Sequence, residues 1–529
     1  MDCAGRIVQR EDSQDRVRAR VEDCAGAPSA TAALPSGVHV LDLDWPEPER
    51  WSGSQILQFG ETLRTLTSAP GLTGVILTGC QLFRSSGCGG PRQAEEHFSD
   101  LLARIADSPI PIIAAMPGGA SGAGLELALA CAARVGGPKA TFILNGIRAA
   151  SLPSLETLRR LPRLVGVEAA AAMVALARAM SGEDAKALGL IDTLGGEDPV
   201  ATAAHLIAAW DDACRQTTAA PDPIDVEAQF FLVRRMLRDT AAHQAAPLSA
   251  VRAMEAAVQM RPRHAKAEVS RIARELEQSE QGVALRHAAR AMKALSGRLG
   301  ALTPTQATLA QGLWWPMARE AIHLLDEGAS PAQVDRCFTV FGFPSGPFAR
   351  SDASGFEAVF TAGDGVLASG GDWTLYSPTL DLMADSGRVG GERLGWYRPA
   401  MAGGLPRFEP IVDQLIQSSA IFQRLRRAPI SDDLVMRRCL NAAVNAGFAA
   451  CQRSADLTLD DIDAIWLAWL GFPRWKGGLI YHARARGLEA AVAELKADAA
   501  RRNTAGAPCD GLVAAAKDGE TSLDLAIGE

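Results

Sequence analysis

Residues 109–135 constrain the fold more than any other segment of the 529-residue chain, and their sequence is PIPIIAAMPGGASGAGLELALACAARV. A short apolar run at 111–116 predicts a β-strand, and a turn of small residues follows it. The turn opens directly into an apolar helix that carries one carboxylate, Glu126. Because leucine flanks Glu126 on both sides, we expect this side chain to be buried and not to lie on a solvated face.

This layout brings two chemical groups together. The N-terminus of a helix presents backbone N–H groups that have no partner inside the helix. Glu126 supplies one acid/base group close by. Preorganised N–H donors stabilise an oxygen anion that develops during a reaction. The segment therefore favours a site in which a thioester is converted into an enolate.

The bulk composition excludes several other classes of function. The net charge is −8 and no basic stripe occurs, which argues against a nucleic-acid partner. The ten cysteines include no Cys-x-x-Cys pair and no zinc-type spacing with histidine, so we expect no metal and a reducing compartment. No apolar run is long enough for a membrane span, and the charged N-terminus lacks the apolar core of a secretory signal. We therefore expect a cytoplasmic protein.

The pattern along the chain changes from alternating strands and helices to helices alone. Strand patterns at 37–45 and 72–79 enclose a helix pattern, which predicts a mainly parallel sheet with helical crossovers. From about residue 225, long amphipathic helices follow one another without strands. The segments predicted in this way are a disordered or loosely helical leader (1–36), an α/β domain (37–215), a helical linker (216–303), two helical repeats (304–400 and 401–500) and a tail (501–529).

The two helical repeats share an internal motif. Each copy has a helix, a short acidic turn, a second helix that contains Val-Asp or Ile-Asp, and then Gly-Phe-Pro with a further glycine. The motif reads QVDRCFTVFGFPSGPF in the first copy and DIDAIWLAWLGFPRWKGG in the second. A duplicated helical unit that packs on itself is the simplest account of this repetition.

The α/β part of the chain resembles the crotonase superfamily, the enoyl-CoA hydratase/isomerase fold, through GASGAGLELALACAARV, KATFILNGIRAASLPSLETLRRLPRLVG and AMSGEDAKALGLID. The helical repeats resemble the C-terminal domain of 3-hydroxyacyl-CoA dehydrogenases, in duplicate. The sequences FGFPSGPF, SGRVGGERLGWYR and DIDAIWLAWLGFPRWKGGLIYHA carry that match. The order of the parts looks like that of multifunctional fatty-acid β-oxidation enzymes of the fatty-oxidation α-subunit type. The resemblance implies an α/β crotonase (ββα-spiral) domain followed by an all-α domain made of two repeats.

The resemblance also implies a site for an acyl-CoA thioester. Its two oxyanion-hole donors match the backbone N–H groups of Ser86 and Ala123. The glycines Gly87, Gly122 and Gly124 match positions that let the backbone approach the thioester closely. Coenzyme A then arrives as part of the substrate, and we expect no covalently bound cofactor.

Acid/base chemistry in this family uses two carboxylates for hydration. Glu126 matches the first of them, and Gly146 stands at the position of the second. Glycine cannot transfer a proton, and loss of one partner in general acid/base catalysis lowers the rate by about 10²–10⁴-fold. Two neighbouring residues are weaker substitutes: Asn145 could position a water molecule, and Glu156 fits a helix surface better than a base.

A nucleotide-binding domain lies between the hydratase part and the helical repeats in the family. In this chain RHAARAMKALSGRLGA continues directly into LTPTQATLAQGLWWPM, without a strand followed by Gly-x-Gly-x-x-Gly. NAD is therefore not expected as a cofactor. By family analogy alone, the helical repeats are expected to dock a thiolase subunit or a second copy of the chain.

Three functions remain open on the sequence. The first is an acyl-CoA enzyme with a single carboxylate, which suits isomerisation of an enoyl-CoA double bond or a specialised hydration. The second is an acyl-CoA-binding or scaffold subunit without catalytic activity. The third is the bifunctional hydratase/dehydrogenase that the family name suggests, and the residues support it least.

Overall fold

The computed structural model describes most of the chain between residues 35 and 518 and two short segments before it. The described residues are 6–7, 18–23, 35–44, 51–79, 92–196, 198–210, 226–241, 243–299, 304–355, 377–391, 393–398, 407–502 and 507–518. The chain divides into two compact units, Met1–Val283 and Ala284–Glu529. The division falls inside the linker predicted at 216–303.

The first unit contains a seven-stranded sheet. Its strands, in their order across the sheet, are β1 (Arg6–Ile7), β2 (Arg18–Asp23), β3 (Val38–Asp44), β4 (Gly74–Thr78), β5 (Ile112–Met116), β7 (Ala133–Gly136) and β10 (Thr193–Leu194). All neighbours from β3 to β10 pair in parallel, as the alternating pattern predicts. β4 and β5 are buried along their whole length, which explains why both are continuous apolar runs.

Two strands come from the segment for which the sequence predicts a disordered or loosely helical leader. β2 pairs antiparallel with β3, and β1 pairs antiparallel with β2. Without β2, the outer edge of β3 would present a row of backbone N–H and C=O groups. Pairing with β2 satisfies these groups, so the sheet edge gives Arg18–Asp23 a strand structure that the composition of the leader does not indicate.

The first unit also contains the helices α1 (Gly53–Thr67), α2 (Arg92–Ala106), α3 (Gly122–Ala130), α4 (Leu155–Val165), α5 (Val167–Leu176), α6 (Gly182–Leu188), α7 (Pro199–Ala208), α8 (Val226–Thr240), α9 (Ala245–Gln259) and α10 (Pro262–Gln278). A capping box fixes the start of α1, where Ser52 accepts from the Gln55 N–H and the Gln55 side chain accepts from the Ser52 N–H. α9 packs against α4, α5 and α10. The helices predicted as a linker therefore belong largely to the first unit.

A second, three-stranded sheet positions the site. It consists of β6 (Gly119–Ser121), β8 (Thr141–Ile143) and β9 (Met180–Ser181), with β8 in the middle. β6 and β8 are parallel, and Ser121 pairs with Ile143. β6 and β8 therefore leave this sheet side by side and in the same direction. β6 continues into α3, and β8 continues into the loop that follows it.

Among the described residues of the second unit, the strands are one short pair, β11 (Tyr397–Arg398) and β12 (Arg407–Phe408), and the other regular elements are helical. Its helices are α11 (Glu280–Leu299, which begins at the end of the first unit), α12 (Pro304–Glu327), α13 (Pro331–Phe341), α14 (Pro347–Ser354), α15 (Pro378–Asp385), α16 (Pro410–Phe422), α17 (Asp432–Arg453), α18 (Leu459–Ile465), α19 (Leu479–Arg486), α20 (Leu488–Arg502) and α21 (Asp510–Lys517). The longest two, α12 and α17, pack together. A π-helical turn, Trp466–Leu470, extends α18.

The duplicated motif gives the same local structure in both copies. In the first copy, the buried Asp335 accepts hydrogen bonds from the N–H groups of Phe348 and Ala349, at 3.0 and 2.8 Å. These N–H groups lie in the first turn of α14 and have no partner inside the helix. The Tyr397 hydroxyl donates a third hydrogen bond to Asp335 at 2.8 Å.

Asp463 has the same role in the second copy. It accepts from the N–H groups of Ile480 and Tyr481, at 2.6 and 3.1 Å, in the first turn of α19. Its third contact is with Nε2 of His287, at 2.9 Å. The Asp of the Val-Asp or Ile-Asp pair is therefore the residue that joins the two helices of each repeat.

The stability of the second unit should depend on pH through His482. Burial, with the positive charges of Lys476 and Arg486, lowers the pKa of His482 to about 4, against about 6.5 in an unfolded chain. The unfolded chain therefore binds a proton more readily between these values, and stability falls as the pH drops from about 6.5 to about 4.

The variant His482→Phe should remove this loss, because Phe341 and Phe472 already pack against the ring. We expect the free energy of unfolding of the variant to fall by about 2–3 kcal/mol less than that of the wild type over this pH range. Urea unfolding at several pH values measures the difference. Equal slopes for the two proteins would contradict the assignment.

Candidate functional site

The junction of β6 and α3 presents the backbone donors of the candidate site. β6 ends at Ser121 and α3 begins at the next residue, Gly122, whose φ is +50°. The Ser121 side chain makes no capping hydrogen bond with the helix. The N–H groups of the first turn, including that of the buried Ala123, are therefore not capped by the residue that precedes the helix. This is the arrangement that an oxyanion-binding turn requires.

A second glycine allows β6 to approach β8. At Gly119, with φ of +93°, a Cβ atom would lie 2.0 Å from the backbone oxygen of Thr141. No other residue fits there, because the clash is with backbone and the conformation itself is strained for side chains. Gly124 lies in the first turn of α3 and is buried, like Gly122.

Glu126 lies one turn into α3, between the fully buried side chains of Leu125 and Leu127. It is itself half-buried, so the burial expected from its neighbours is only partly realised. Its Oε2 accepts a hydrogen bond from the backbone N–H of Ser154 at 2.7 Å. Ser154 is the N-cap of α4, and its own side chain accepts from the Thr157 N–H. The start of α4 thus holds one oxygen of the carboxylate in place.

The sequence reasoning missed the contact between Ser154 and Glu126. The contact uses a backbone group, so no residue type marks it. The available signal was Pro-Ser-Leu-Glu at 153–156, a helix start whose N-cap can be predicted. That signal locates the N–H group but not its partner 28 residues earlier in the chain.

Gly146 opens a tight 3-10 turn, Gly146–Ala149, directly after Asn145. Its carbonyl oxygen accepts from the Ser151 N–H at 3.0 Å, and a Cβ atom at Gly146 would lie 3.0 Å from the Ser151 oxygen. The turn is therefore packed closely around a glycine. Glu156, the other substitute weighed for the lost carboxylate, lies in the first turn of α4 with its side chain 40% exposed and 3.8 Å from Arg159. This is a helix-surface position.

The remaining predicted site residues cannot be placed. Ser86 and Gly87, the second oxyanion donor and its neighbour, lie outside the described residues. Among the residues that the structure does describe, no group of three or more His, Cys, Asp or Glu side chains is arranged to hold a metal ion. Within the same part of the chain, no helix is both long and apolar enough to cross a membrane.

Two family models match parts of the chain, one in each unit. Residues 35–221 match the family model "Enoyl-CoA hydratase/isomerase", and residues 309–398 match "3-hydroxyacyl-CoA dehydrogenase, C-terminal domain". The first match covers the strands from β3 to β10 and the helices α1 to α7, and with them Ala123, Glu126 and Gly146. It does not reach β1 and β2. The second covers the first helical repeat.

Curated relatives include the peroxisomal bifunctional enzyme of Danio rerio, which is 30% identical over 196 residues, covering 34% of this chain and 27% of that enzyme. The human peroxisomal bifunctional enzyme is 28% identical over 196 residues, again with 34% and 27% coverage. The aligned part of this chain thus spans about a quarter of the length of these relatives.

Solved structures that match part of the chain include an enoyl-CoA hydratase from Bacillus halodurans. It is 18% identical, and the match covers 46% of this chain and 97% of that one with a TM-score of 0.32. The first unit thus has the α/β crotonase fold, with residues 35–221 similar to the enoyl-CoA hydratase/isomerase family and residues 309–398 similar to the C-terminal domain of 3-hydroxyacyl-CoA dehydrogenases.

Proposed function

We propose that this chain is an acyl-CoA enzyme of the enoyl-CoA hydratase/isomerase type that works with a single carboxylate, Glu126. The thioester oxygen is held by backbone N–H groups at the start of α3, and by Ser86 according to the family resemblance. Glu126 then moves a proton to or from the enolate carbon chain. Isomerisation of an enoyl-CoA double bond needs one such group, and a specialised hydration is the other reaction open to it.

One observation carries this proposal: the carboxylate of Glu126 is anchored by the Ser154 N–H at 2.7 Å, one helical turn after the uncapped start of α3. A carboxylate held in this way has a defined position relative to the oxyanion donors. A Glu that served only the helix surface would have no reason to contact the start of another helix.

We further propose that the chain has no NAD-dependent dehydrogenase activity. The family's nucleotide-binding domain belongs between the hydratase part and the helical repeats. Here α11 ends at Leu299 and α12 begins at Pro304, so only residues 300–303 lie between the two helices. Four residues cannot form a dinucleotide-binding unit, which needs a strand, a glycine-rich turn and a helix.

A scaffold function is the second candidate, and the packing around Gly146 favours it. A site that has lost one carboxylate, and in which a tight turn packs around Gly146 at that position, could bind acyl-CoA without turning it over. The two candidate functions predict different turnover but the same acyl-CoA binding, so turnover and binding are measured together.

The test is to incubate the full chain with 2-enoyl-CoA and, separately, with 3-enoyl-CoA, each with and without NAD. Turnover of either substrate without NADH formation supports the proposal. Acyl-CoA binding without turnover of either substrate favours the scaffold. Formation of NADH from 3-hydroxyacyl-CoA would overturn the loss of dehydrogenase activity.

Restoring the second carboxylate should favour hydration. The variant Gly146→Glu places a carboxylate at the matching position, but its Cβ meets the Ser151 oxygen at 3.0 Å, so the turn must shift by a few tenths of an ångström. Gly146→Ala is the matched control because it carries the same Cβ without the carboxylate. We expect hydration of 2-enoyl-CoA by the Glu variant to exceed that by the Ala variant at least about tenfold. Equal rates would mean that the pocket has diverged beyond this residue.

Partners and location complete the proposal. Following the resemblance, we assign the helical repeats as a docking surface for a thiolase subunit or a second copy of the chain. Measuring the mass of the protein in solution, with and without a thiolase, tests this assignment. We assign a cytoplasmic location, although the relatives named above are described as peroxisomal.

A further inference from the structure

The Asn145 side chain contains a buried acceptor that the fold does not use. Its Oδ1 is inaccessible to solvent and has no hydrogen-bond partner in the part of the chain that the structure describes. Buried carbonyl oxygens are nearly always hydrogen-bonded in folded proteins, because an unsatisfied one destabilises the fold. An exception at a functional site indicates an acceptor that awaits a donor from a ligand.

The small sheet brings Asn145 next to the oxyanion turn. Ser121 of β6 pairs in parallel with Ile143 of β8. Two residues further along each chain lie Ala123 and Asn145. Neighbouring strands are about 4.8 Å apart, so both residues follow directly from the same end of this small sheet. Glu126 follows Ala123 by three helical residues, a rise of about 4.5 Å.

The loop after Asn145 returns to the same place. The Ser151 N–H binds the Gly146 oxygen and so folds the loop back onto its beginning. Three residues later, the Ser154 N–H binds the Glu126 carboxylate. The segment that begins with the unsatisfied Asn145 oxygen therefore ends on the proposed catalytic carboxylate.

We propose that Asn145 Oδ1 accepts a hydrogen bond from the water molecule that adds to C3 of a 2-enoyl-CoA, and then from the 3-hydroxyl group that this water becomes. The inference rests on the proposed function and selects hydration from the two reactions left open there. A water molecule and a 3-hydroxyl group offer the same O–H donor at the same place, so one acceptor serves substrate and product.

The steps balance with Glu126 as the one proton carrier. The water oxygen bonds to C3 while one of its protons passes to Glu126, and the C2=C3 electron pair moves onto the thioester oxygen. The enolate then returns its electrons, and C2 takes the proton from Glu126. The remaining water proton stays on the new hydroxyl group, which donates it to Asn145 Oδ1. A carboxamide does not take up a proton at neutral pH, so Asn145 is a positioning residue and not a base.

The test uses two variants of the full chain. Asn145→Leu keeps the approximate size and removes the acceptor, and Asn145→Asp keeps an oxygen acceptor. Dissociation constants are measured for a 3-hydroxyacyl-CoA and for the saturated acyl-CoA of equal length. We expect Asn145→Leu to bind the 3-hydroxyacyl-CoA at least tenfold more weakly, to bind the saturated ligand unchanged, and to hydrate 2-enoyl-CoA at least tenfold more slowly. Asn145→Asp should retain the preference for the 3-hydroxyl ligand.

A purely structural role for Asn145 predicts another result: both ligands weaken equally in Asn145→Leu, or neither does, and either finding overturns the inference. Thermal unfolding identifies a variant that fails to fold, in which case Asn145→Ala replaces it. The binding comparison needs no turnover, so it measures the contribution of Asn145 to binding of the 3-hydroxyl group even if the wild type is inactive. Turnover that is lost in Glu126→Gln but unaffected in Asn145→Leu removes this inference alone, whereas turnover unaffected in Glu126→Gln removes the proposed function.

Discussion

Replacing Glu126 by glutamine is expected to lower kcat with enoyl-CoA by about 10²–10⁴-fold, the usual effect of losing a general acid/base. The glutamine amide has nearly the same shape and can still accept a hydrogen bond from the Ser154 N–H through its oxygen. It cannot carry a proton. Since Glu126 is the one carboxylate assigned to the reaction, no second group takes over its role.

Acyl-CoA binding should change much less than turnover in this variant. The backbone donors at the start of α3 do not depend on the Glu126 charge, so the Kd for a saturated acyl-CoA should stay within about threefold. A selective loss of kcat is the signature of an interaction made mainly in the transition state. Initial rates with 2-enoyl-CoA and 3-enoyl-CoA, together with a binding titration, give both quantities.

The variant Glu156→Gln is the matched control. Glu156 is also a glutamate close to the site in sequence, but its side chain is 40% exposed and faces Arg159 on the surface of α4. Its replacement should leave kcat within about twofold. A large loss of kcat in Glu156→Gln, or full activity in Glu126→Gln, would contradict the assignment of Glu126 as the catalytic carboxylate.

The local structure of the site could be predicted from the sequence because its signals are local. The apolar run at 111–116 corresponds to β5 (Ile112–Met116), and the small-residue turn leads into α3, as expected. The central part of the sheet follows from the alternation of strand and helix patterns. These features depend on residues within about fifteen positions of one another, where periodicity and turn chemistry decide the outcome.

Contacts between distant segments could not be predicted in the same way. The Ser154 N–H binds Glu126, which lies 28 residues earlier in the chain. Because the donor is a backbone group, no residue type in the sequence indicates this hydrogen bond. The strands of the leader form because β3 has a free edge, which is a property of the sheet. The sequence repeat shows Asp335 and Asp463 as equivalent, but their third donors, Tyr397 and His287, come from unrelated elements.

In the helical unit, the substitution Arg438→Leu should destabilise the fold by about 3–5 kcal/mol. Arg438 lies on α17 and is 2% exposed. Its Nη1 and Nη2 donate to the two carboxylate oxygens of Glu327 at 2.6 and 2.8 Å, and its Nε donates to Glu320 at 2.6 Å. Both glutamates lie on α12, so one arginine joins the two longest helices of the unit.

The expected cost comes mainly from the carboxylates left behind. The side chains of Glu320 and Glu327 are only 13% and 22% exposed. With a leucine side chain in place of the arginine, both carboxylates would lose the guanidinium that they bind, and they would not gain full access to water in exchange. Arg336→Leu is the control, because its ion pair with Asp432 is 60% and 56% exposed and should contribute less than about 1 kcal/mol.

A combined variant separates charge from packing. If the cost of Arg438→Leu comes from carboxylates that stay buried after losing the arginine, then adding Glu320→Gln and Glu327→Gln should recover a large part of the lost stability, since neutral amides are less costly to bury. If the cost is lost packing of the arginine side chain, the triple variant should be no more stable than the single one. Urea unfolding of the full chain, followed by tryptophan fluorescence, distinguishes the two because Trp314, Trp315 and Trp466 lie in or against the core that α12 and α17 share.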